Sequence, residues 1–312
     1  MLKSLKDLKI MSAIIEDARI PVSSLAKKCR LKRENVQYRI KNLEKNLIAG
    51  YQARINLNLI ADSIYTTYLN ISGLKREEII LKLKKLPQVH WIASTLGRWN
   101  YILTFSVNNE NKLSKFIDLL FGFFNKSQLE YSITQQIEEY KDSFSGLFGN
   151  NLLIISQKQI ENKEIDEVDK RILGHLTKNA RVSNLEIADK IEMTREAIRM
   201  RIKNLEKKEI ILNYRTLIKP QALELENFVL AVKCNSGSSK KLSEICSFLS
   251  NNKFFSYVCT TAGEFNILSV VHLKSLKELD DICTKLRLNF PDIISEIEPL
   301  PLIEVASQNY LP

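Results

Sequence analysis

The chain has few groups that would commit it to covalent chemistry. Its 312 residues hold only three histidines and five cysteines. The cysteines, Cys29, Cys234, Cys246, Cys259 and Cys283, are odd in number and include no Cys-x-x-Cys pair. Neither a disulfide framework nor a zinc site is expected, and buried or half-buried free thiols are. Also missing are a glycine-rich phosphate loop, a His-Glu-x-x-His pair, a nucleophile elbow and carboxylates at a useful spacing. No catalytic residue, metal ligand or cofactor is assigned. No apolar run approaches the roughly 18–20 residues of a membrane span. The N-terminal stretch is amphipathic and carries acids, unlike a secretory leader. A cytoplasmic protein without a membrane partner is expected.

What is present is positive charge, unevenly placed. The net charge is +10. Residues 1–60 hold 13 Lys+Arg against 5 Asp+Glu, a net of +8, and residues 161–220 hold 14 against 11, a net of +3. The rest of the chain is left at −1. Such segregation points to a polyanion as partner.

The two basic segments are copies of one another. "NVQYRIKNLEKNLI" (35–48) and "AIRMRIKNLEKKEI" (197–210) align at a shift of 162, and across 19–48 and 181–210 thirteen of thirty positions are identical. Asp7 and Ile10 also meet Asp169 and Ile172. Further on, "STLGRWNYILTFSV" (94–107) resembles "TTAGEFNILSVVHL" (260–273) at a shift of 166. The chain is therefore a duplicated pair of modules.

Each basic module reads as three short helices. Leu8, Met11, Ile14 and Ile15 keep a helical period, "VSSLAKKC" follows a turn, and a third helix runs from about Arg33 to Lys45. Its apolar positions are Val36, Ile40, Leu43 and Leu47, matched by Ile198, Ile202 and Leu205. A tight turn before the third helix makes a helix-turn-helix, and "AGYQARINL" and "LNYRTLIK" read as wings. With the apolar stripe inward, Gln37, Tyr38, Lys41, Asn42 and Lys45 face out, with Lys32 and Arg33 at the helix start. The second copy offers Arg195, Arg199, Met200, Lys203, Asn204 and Lys207. Amides and a guanidinium can contact base edges, and ammonium groups can contact phosphates. The scaffold and lysines are shared, while Gln37–Tyr38 becomes Arg199–Met200.

The modules between read as strand, helix, two strands, helix, strand. The first copy places these at 64–72, 76–86, 88–95, 100–107, 111–124 and 129–140, and the second repeats them from 228 to 305. This is the βαββαβ order of a ferredoxin-like unit, whose free sheet face must pack on something. The expected class is α+β: two winged helix-turn-helix domains alternating with two ferredoxin-like domains. The expected boundaries are 1–60, 61–145, a linker at 146–165, then 166–222 and 223–312.

Residues 169–211, from the Asp before the first helix to the Arg-Ile-Lys-x-Leu-Glu of the third, resemble the Lrp/AsnC (feast/famine) family of transcription regulators. "TLGRWNYILTF" and "TAGEFNILSV" are similar to that family's effector-domain turn, Thr-Gly-x-x-Asp, with Asn100 and Asn266 at the acid position. The resemblance spans nearly the whole chain, twice. It implies a regulator of double-stranded DNA whose effector domains pair sheet to sheet. Here the pairing would occur within one chain, as a pseudo-dimer, with further homo-oligomers and contact with the transcription machinery also in the family's range. It implies a small-molecule effector near Gly97, Arg98, Trp99 and Asn100, and near Gly263, Glu264, Phe265 and Asn266. Two other readings stand beside it. Siroheme decarboxylases resemble the same two-module plan, some as fused pairs, which would call for His and Arg at a tetrapyrrole site. A non-specific DNA coater would need only the charge.

Overall fold

A computed structural model describes residues 4–86, 88–107, 110–125, 128–149, 165–235 and 238–308. The first module holds α1 (Leu5–Glu16), α2 (Val22–Cys29) and α3 (Arg33–Asn46). The second holds α6 (Glu167–Lys178), α7 (Asn184–Ile191) and α8 (Arg195–Lys207). α1 and α6 start on equivalent caps: the Ser4 hydroxyl accepts from the Asp7 N–H, and the Asp166 carboxylate accepts from the Asp169 N–H. α2 and α7 end on Arg30 and Glu192, both left-handed, which reverses the chain tightly into the third helix. Val36, Ile40 and Leu43 are buried, as are Ile198, Ile202 and Leu205.

The wing expectation needs correcting. Each module supplies one strand only, β1 (Ile48–Ile55) or β6 (Ile211–Ile218), and the two pair antiparallel with each other. Gln52 faces Arg215 at the centre of this ribbon. A lone strand leaves its backbone groups unpaired, and the other copy satisfies them. The same exchange continues in the loops, where Ala18 N–H donates to Tyr214 and Ala180 N–H to Tyr51, both at 2.8 Å. Ala180 and Ile218 complete the first module's core, and Ala53, Ile55 and Leu59 complete the second's.

The ferredoxin-like units follow the expected order. The first contains β2 (Ser63–Ile71), α4 (Arg76–Leu83), β3 (Val89–Thr95), β4 (Tyr101–Val107), α5 (Glu110–Phe123) and β5 (Leu129–Asp142). The second contains β7 (Glu226–Cys234), α9 (Ser239–Ser250), β8 (Phe255–Ala262), β9 (Ile267–Leu273), α10 (Leu276–Asn289) and β10 (Ile294–Gln308). Their sheets join edge to edge into one closed barrel, ordered β10-β3-β4-β2-β5-β8-β9-β7. The last strand of each unit is long enough to serve both halves. β5 pairs with β2 through Gln135 and with β8 from Gln135 onward. β10 does the same with β7 and β3. The two junctions match at a shift of 166: Gln136 faces Thr261 as Leu302 faces Thr95, and Asp142 faces Tyr257 as Gln308 faces Trp91. Closure leaves the barrel without a free edge among the described residues.

The expected linker begins later than 146. Ser145–Phe148 forms a 3-10 turn, and Phe148 is buried in the first module's core. Residues 150–164 of that linker lie outside the described residues. Cys29, Cys246, Cys259 and Cys283 are buried free thiols and Cys234 is half-buried. Among the described residues no His/Cys/Asp/Glu group could hold a metal, and no helix is long and apolar enough to cross a membrane.

Candidate nucleic-acid interface

On α3, Gln37, Tyr38, Lys41, Asn42 and Lys45 are exposed, as are Lys32 and Arg33 before them. Tyr38 is 68% exposed. On α8, Arg195, Met200, Lys203, Asn204 and Lys207 are exposed, with Met200 at 55%. Arg199 is partly exposed, less so than these residues, and is held by Glu196, one turn earlier, at 2.9 Å. That ion pair raises the guanidinium and lowers the carboxyl from their ordinary values. An exposed pair of this kind exchanges readily for a stronger acceptor.

The shared arginine of "RIKNLEK" has a different role. Arg39 reaches the Ser4 hydroxyl at 3.0 Å and Asp7 at 2.7 Å. Arg201 reaches Asp166 at 2.7 Å and Asp169 at 2.8 Å. Each arginine thereby clamps the third helix of its module to the capped start of the first helix. A second pair, Arg19 and Arg181, ties the copies together. Arg181 lies 3.9 Å from the Tyr51 ring centroid and Arg19 lies 5.0 Å from that of Tyr214. Tyr51 in turn donates to Glu44 on α3, and Tyr214 to Glu206 on α8. Sequence reading did not assign these residues, although the identity of Arg19/Arg181, Arg39/Arg201 and Glu44/Glu206 at a shift of 162, and of Tyr51/Tyr214 at 163, was the available signal.

The two effector-like turns come together across the barrel. Gly97 and Gly263 carry φ of +117° and +141°, a region that favours glycine. Trp99 and Phe265 are buried on either side of Tyr68. Arg98 bonds Glu264, its own counterpart, at 3.1 Å, and Glu130 at 2.9 Å. Asn100 is committed to structure: its amide accepts from Ile71 N–H at 2.9 Å and donates to Ile71 C=O at 2.8 Å. Asn266 accepts from Cys234 N–H at 2.8 Å. An aspartate could not supply the donor that Asn100 gives Ile71 C=O, which accounts for the departure from the acid at that turn. Of the eight turn residues, Arg98 and Glu264 keep charged groups accessible to solvent.

Between the ribbon and the barrel lies a cavity of about 630 Å³ that sequence reading did not anticipate. Arg54 enters it from β1 and pairs with Glu139 and, at 3.0 Å, with Asp142. Arg215 on β6 reaches Asp142 at 2.6 Å. Burial raises the Glu139 carboxyl against the pull of Arg54, and Asp142 adds to the rise. His272 also lines the cavity. Its ring nitrogens lie 2.6 Å from Asn227 Oδ1 and 2.7 Å from Ser256 Oγ. Burial pushes this imidazole down to about 3, so it is neutral. His175 lies on α6, in the second basic module. The available signal was difference between the copies, since Arg54, Glu139 and His272 have no like residue at the matching positions.

Comparison with known proteins fits this arrangement. The AsnC-type helix-turn-helix domain model matches twice, at residues 5–44 and 165–206. The chain is 30% identical over 140 residues to the HTH-type transcriptional regulator LrpA of Pyrococcus horikoshii, covering 45% of this chain and 97% of the relative. It is 23% identical over 151 residues to the leucine-responsive regulatory protein of Haemophilus influenzae, covering 48% and 91%. Each relative thus corresponds to about one half of the duplication. Over the whole length, the fold is similar to that of the siroheme decarboxylase NirDL, with a TM-score of 0.66, 14% identity, and 97% and 93% of the two chains covered.

Proposed function

We propose that this chain, which belongs to the Lrp/AsnC family of transcription regulators, binds double-stranded DNA as a covalent pseudo-dimer with two non-identical recognition helices. The observation that carries this reading is the ribbon. It joins β1 to β6 directly behind α3 and α8, whose outer faces share the lysines but differ at Gln37–Tyr38 and Arg199–Met200. Two-fold symmetric helix-turn-helix dimers favour palindromic sites with half-sites roughly one helical turn apart. Different outer faces favour an asymmetric site. A small effector modulating this binding belongs to the same reading.

Selection of bound sequences from a random DNA pool tests it, followed by affinity against salt. The expected result is a recurring asymmetric motif, with log affinity falling by about 0.9 per phosphate neutralised for each tenfold rise in salt. A perfect palindrome as the best site would overturn the two-reader claim. Salt-dependent binding with no motif would indicate a coater, and no binding at moderate salt would overturn the DNA reading.

A tetrapyrrole enzyme is the second reading, favoured by the full-length likeness to NirDL, which has also been crystallised with an iron-uroporphyrin III analogue. The cavity contains Arg54, Arg215 and His272, the residue types such a ligand would use. Against it, both arginines are already paired with Glu139 and Asp142, which would repel a carboxylate-rich macrocycle. Titration with siroheme decides between them, since saturable binding with a shifted absorption band would favour the enzyme.

A further inference from the structure

The duplication has given the central cavity two unlike ends. The barrel junctions and the ribbon relate each wall position to a counterpart in the other copy. Where one end has Arg54, the other has Leu217, and where one has Glu139, the other has Val305. Gln136 is answered by Leu302, and Asn227 by Ile64. All eight residues line the cavity. The polar members lie together, because Arg54 reaches Glu139, Gln136 accepts from Tyr257 at 2.9 Å, and Asn227 meets the His272 that bonds Ser256 beside Tyr257. Thr104 against Val270 runs the other way, and Lys219 and Glu304 bring one charge of each sign to the stretches that hold Leu217, Leu302 and Val305, a net of zero. A dimer of identical chains must repeat any polar group at both ends of such a space. This chain does not.

The charges on the wall also balance. Arg54, Arg215 and Lys219 stand against Glu139, Asp142 and Glu304. A ligand with net charge would upset paired groups that are costly to leave uncompensated. The volume is in the range of small-molecule sites, roughly 300–1,000 Å³. One wall is the ribbon, through Arg54, Arg215 and Leu217, so an occupant would bear directly on the strands that follow both recognition helices.

We propose that the cavity is an effector site for one amphipathic small molecule without net charge, its polar head at Arg54–Asp142 and its apolar body against Leu217 and Leu302. The site is distinct from the turns at Gly97 and Gly263. Its regulatory role rests on the DNA-binding reading, but its existence does not. Binding there shifts the ribbon and thereby the affinity for DNA.

Nile red, an uncharged amphipathic dye, is the probe, compared with the anionic dye 1-anilinonaphthalene-8-sulfonate on the full chain. The expected result is saturable, blue-shifted Nile red emission at one dye per chain, with the anionic dye at least about tenfold weaker. Leu217→Trp fills the cavity from the ribbon and Val270→Trp from the barrel. Each should weaken Nile red at least about tenfold while circular dichroism shows a folded chain; two walls are used in case one variant fails to fold. Dye binding that both folded variants leave unchanged overturns the site, and tighter binding of the anion overturns the ligand class. Saturating dye should change affinity for the selected DNA by roughly 5–150-fold. No change overturns the coupling alone. Failure to bind any DNA overturns the regulator reading and leaves the dye results to decide the site.

Discussion

Arg98 and Glu264 occupy the same position in the two copies and form an ion pair with each other at 3.1 Å. In a dimer of identical chains this place would bring two like charges together. The duplicated genes have diverged to opposite signs instead. Arg98→Glu should lower the urea midpoint, and adding Glu264→Arg should restore part of it, since Glu130 still loses its partner. The pair is exposed, so the change is expected to be no more than about 1 kcal/mol. Equal effects in the single and double variants would show that the pair contributes nothing.

The Asn100 amide closes both hydrogen bonds of Ile71. Asn100→Asp removes the donor and turns a carboxylate toward a carbonyl, at a cost of about 1–3 kcal/mol. The new acid would have a folded value raised above its unfolded value of about 3.9. Its favourable protonated form is therefore fully present below about pH 4 and lost as pH rises through the folded value. Urea melts of the variant and parent at pH 4 and pH 7 should show the deficit shrinking in acid.

Arg199→Ala should relax base preference at one half-site only, reducing affinity for the selected sequence roughly 5–150-fold if a guanine contact is lost. Gln37→Ala should act at the other half-site. Repeating the random-pool selection with each variant reads this directly, and identical loss of preference at both half-sites in either variant would contradict separate readers.

His272 gives the chain a sensitivity to acid. Its imidazole is pushed down to about 3 in the fold against an ordinary 6.5. The unfolded chain therefore binds the proton first, and stability present above pH 6.5 is lost as pH falls toward 3. The slope from this one group reaches about 1.4 kcal/mol per pH unit. His272→Gln should flatten the dependence of the urea midpoint on pH between 6.5 and 4, relative to the parent.

Much of the architecture was legible because it is local. The apolar spacing of Val36, Ile40 and Leu43 and the alternation in "IYTTYLNIS" fix helix and strand without reference to the rest of the chain. What escaped notice was set by partners far away in sequence. A strand such as β1 reads the same whether it folds back as a wing or joins β6 over 160 residues later. The start of the linker was hidden for the same reason, since Phe148 acquires its meaning from the core it enters. The outward residues of α3 and α8 followed from the helical period alone. The cavity did not, because its walls come from both copies, and Arg54 looks like any basic residue until Glu139 and Asp142 are beside it. Asn100 and Asn266 were visible as departures from an acid, but their hydrogen bonds to neighbouring strands were not.

The closed barrel has a consequence for dosage. Regulators that dimerise are diluted into inactive subunits when few molecules are present, and their occupancy rises steeply with copy number. Here the two halves share one backbone and β5–β8 and β10–β3 are sealed within it. Dilution cannot separate them. Under the proposal that one chain is the DNA-binding unit, occupancy of a single site should rise hyperbolically from the first molecule synthesised, without the threshold that an equilibrium between subunits imposes.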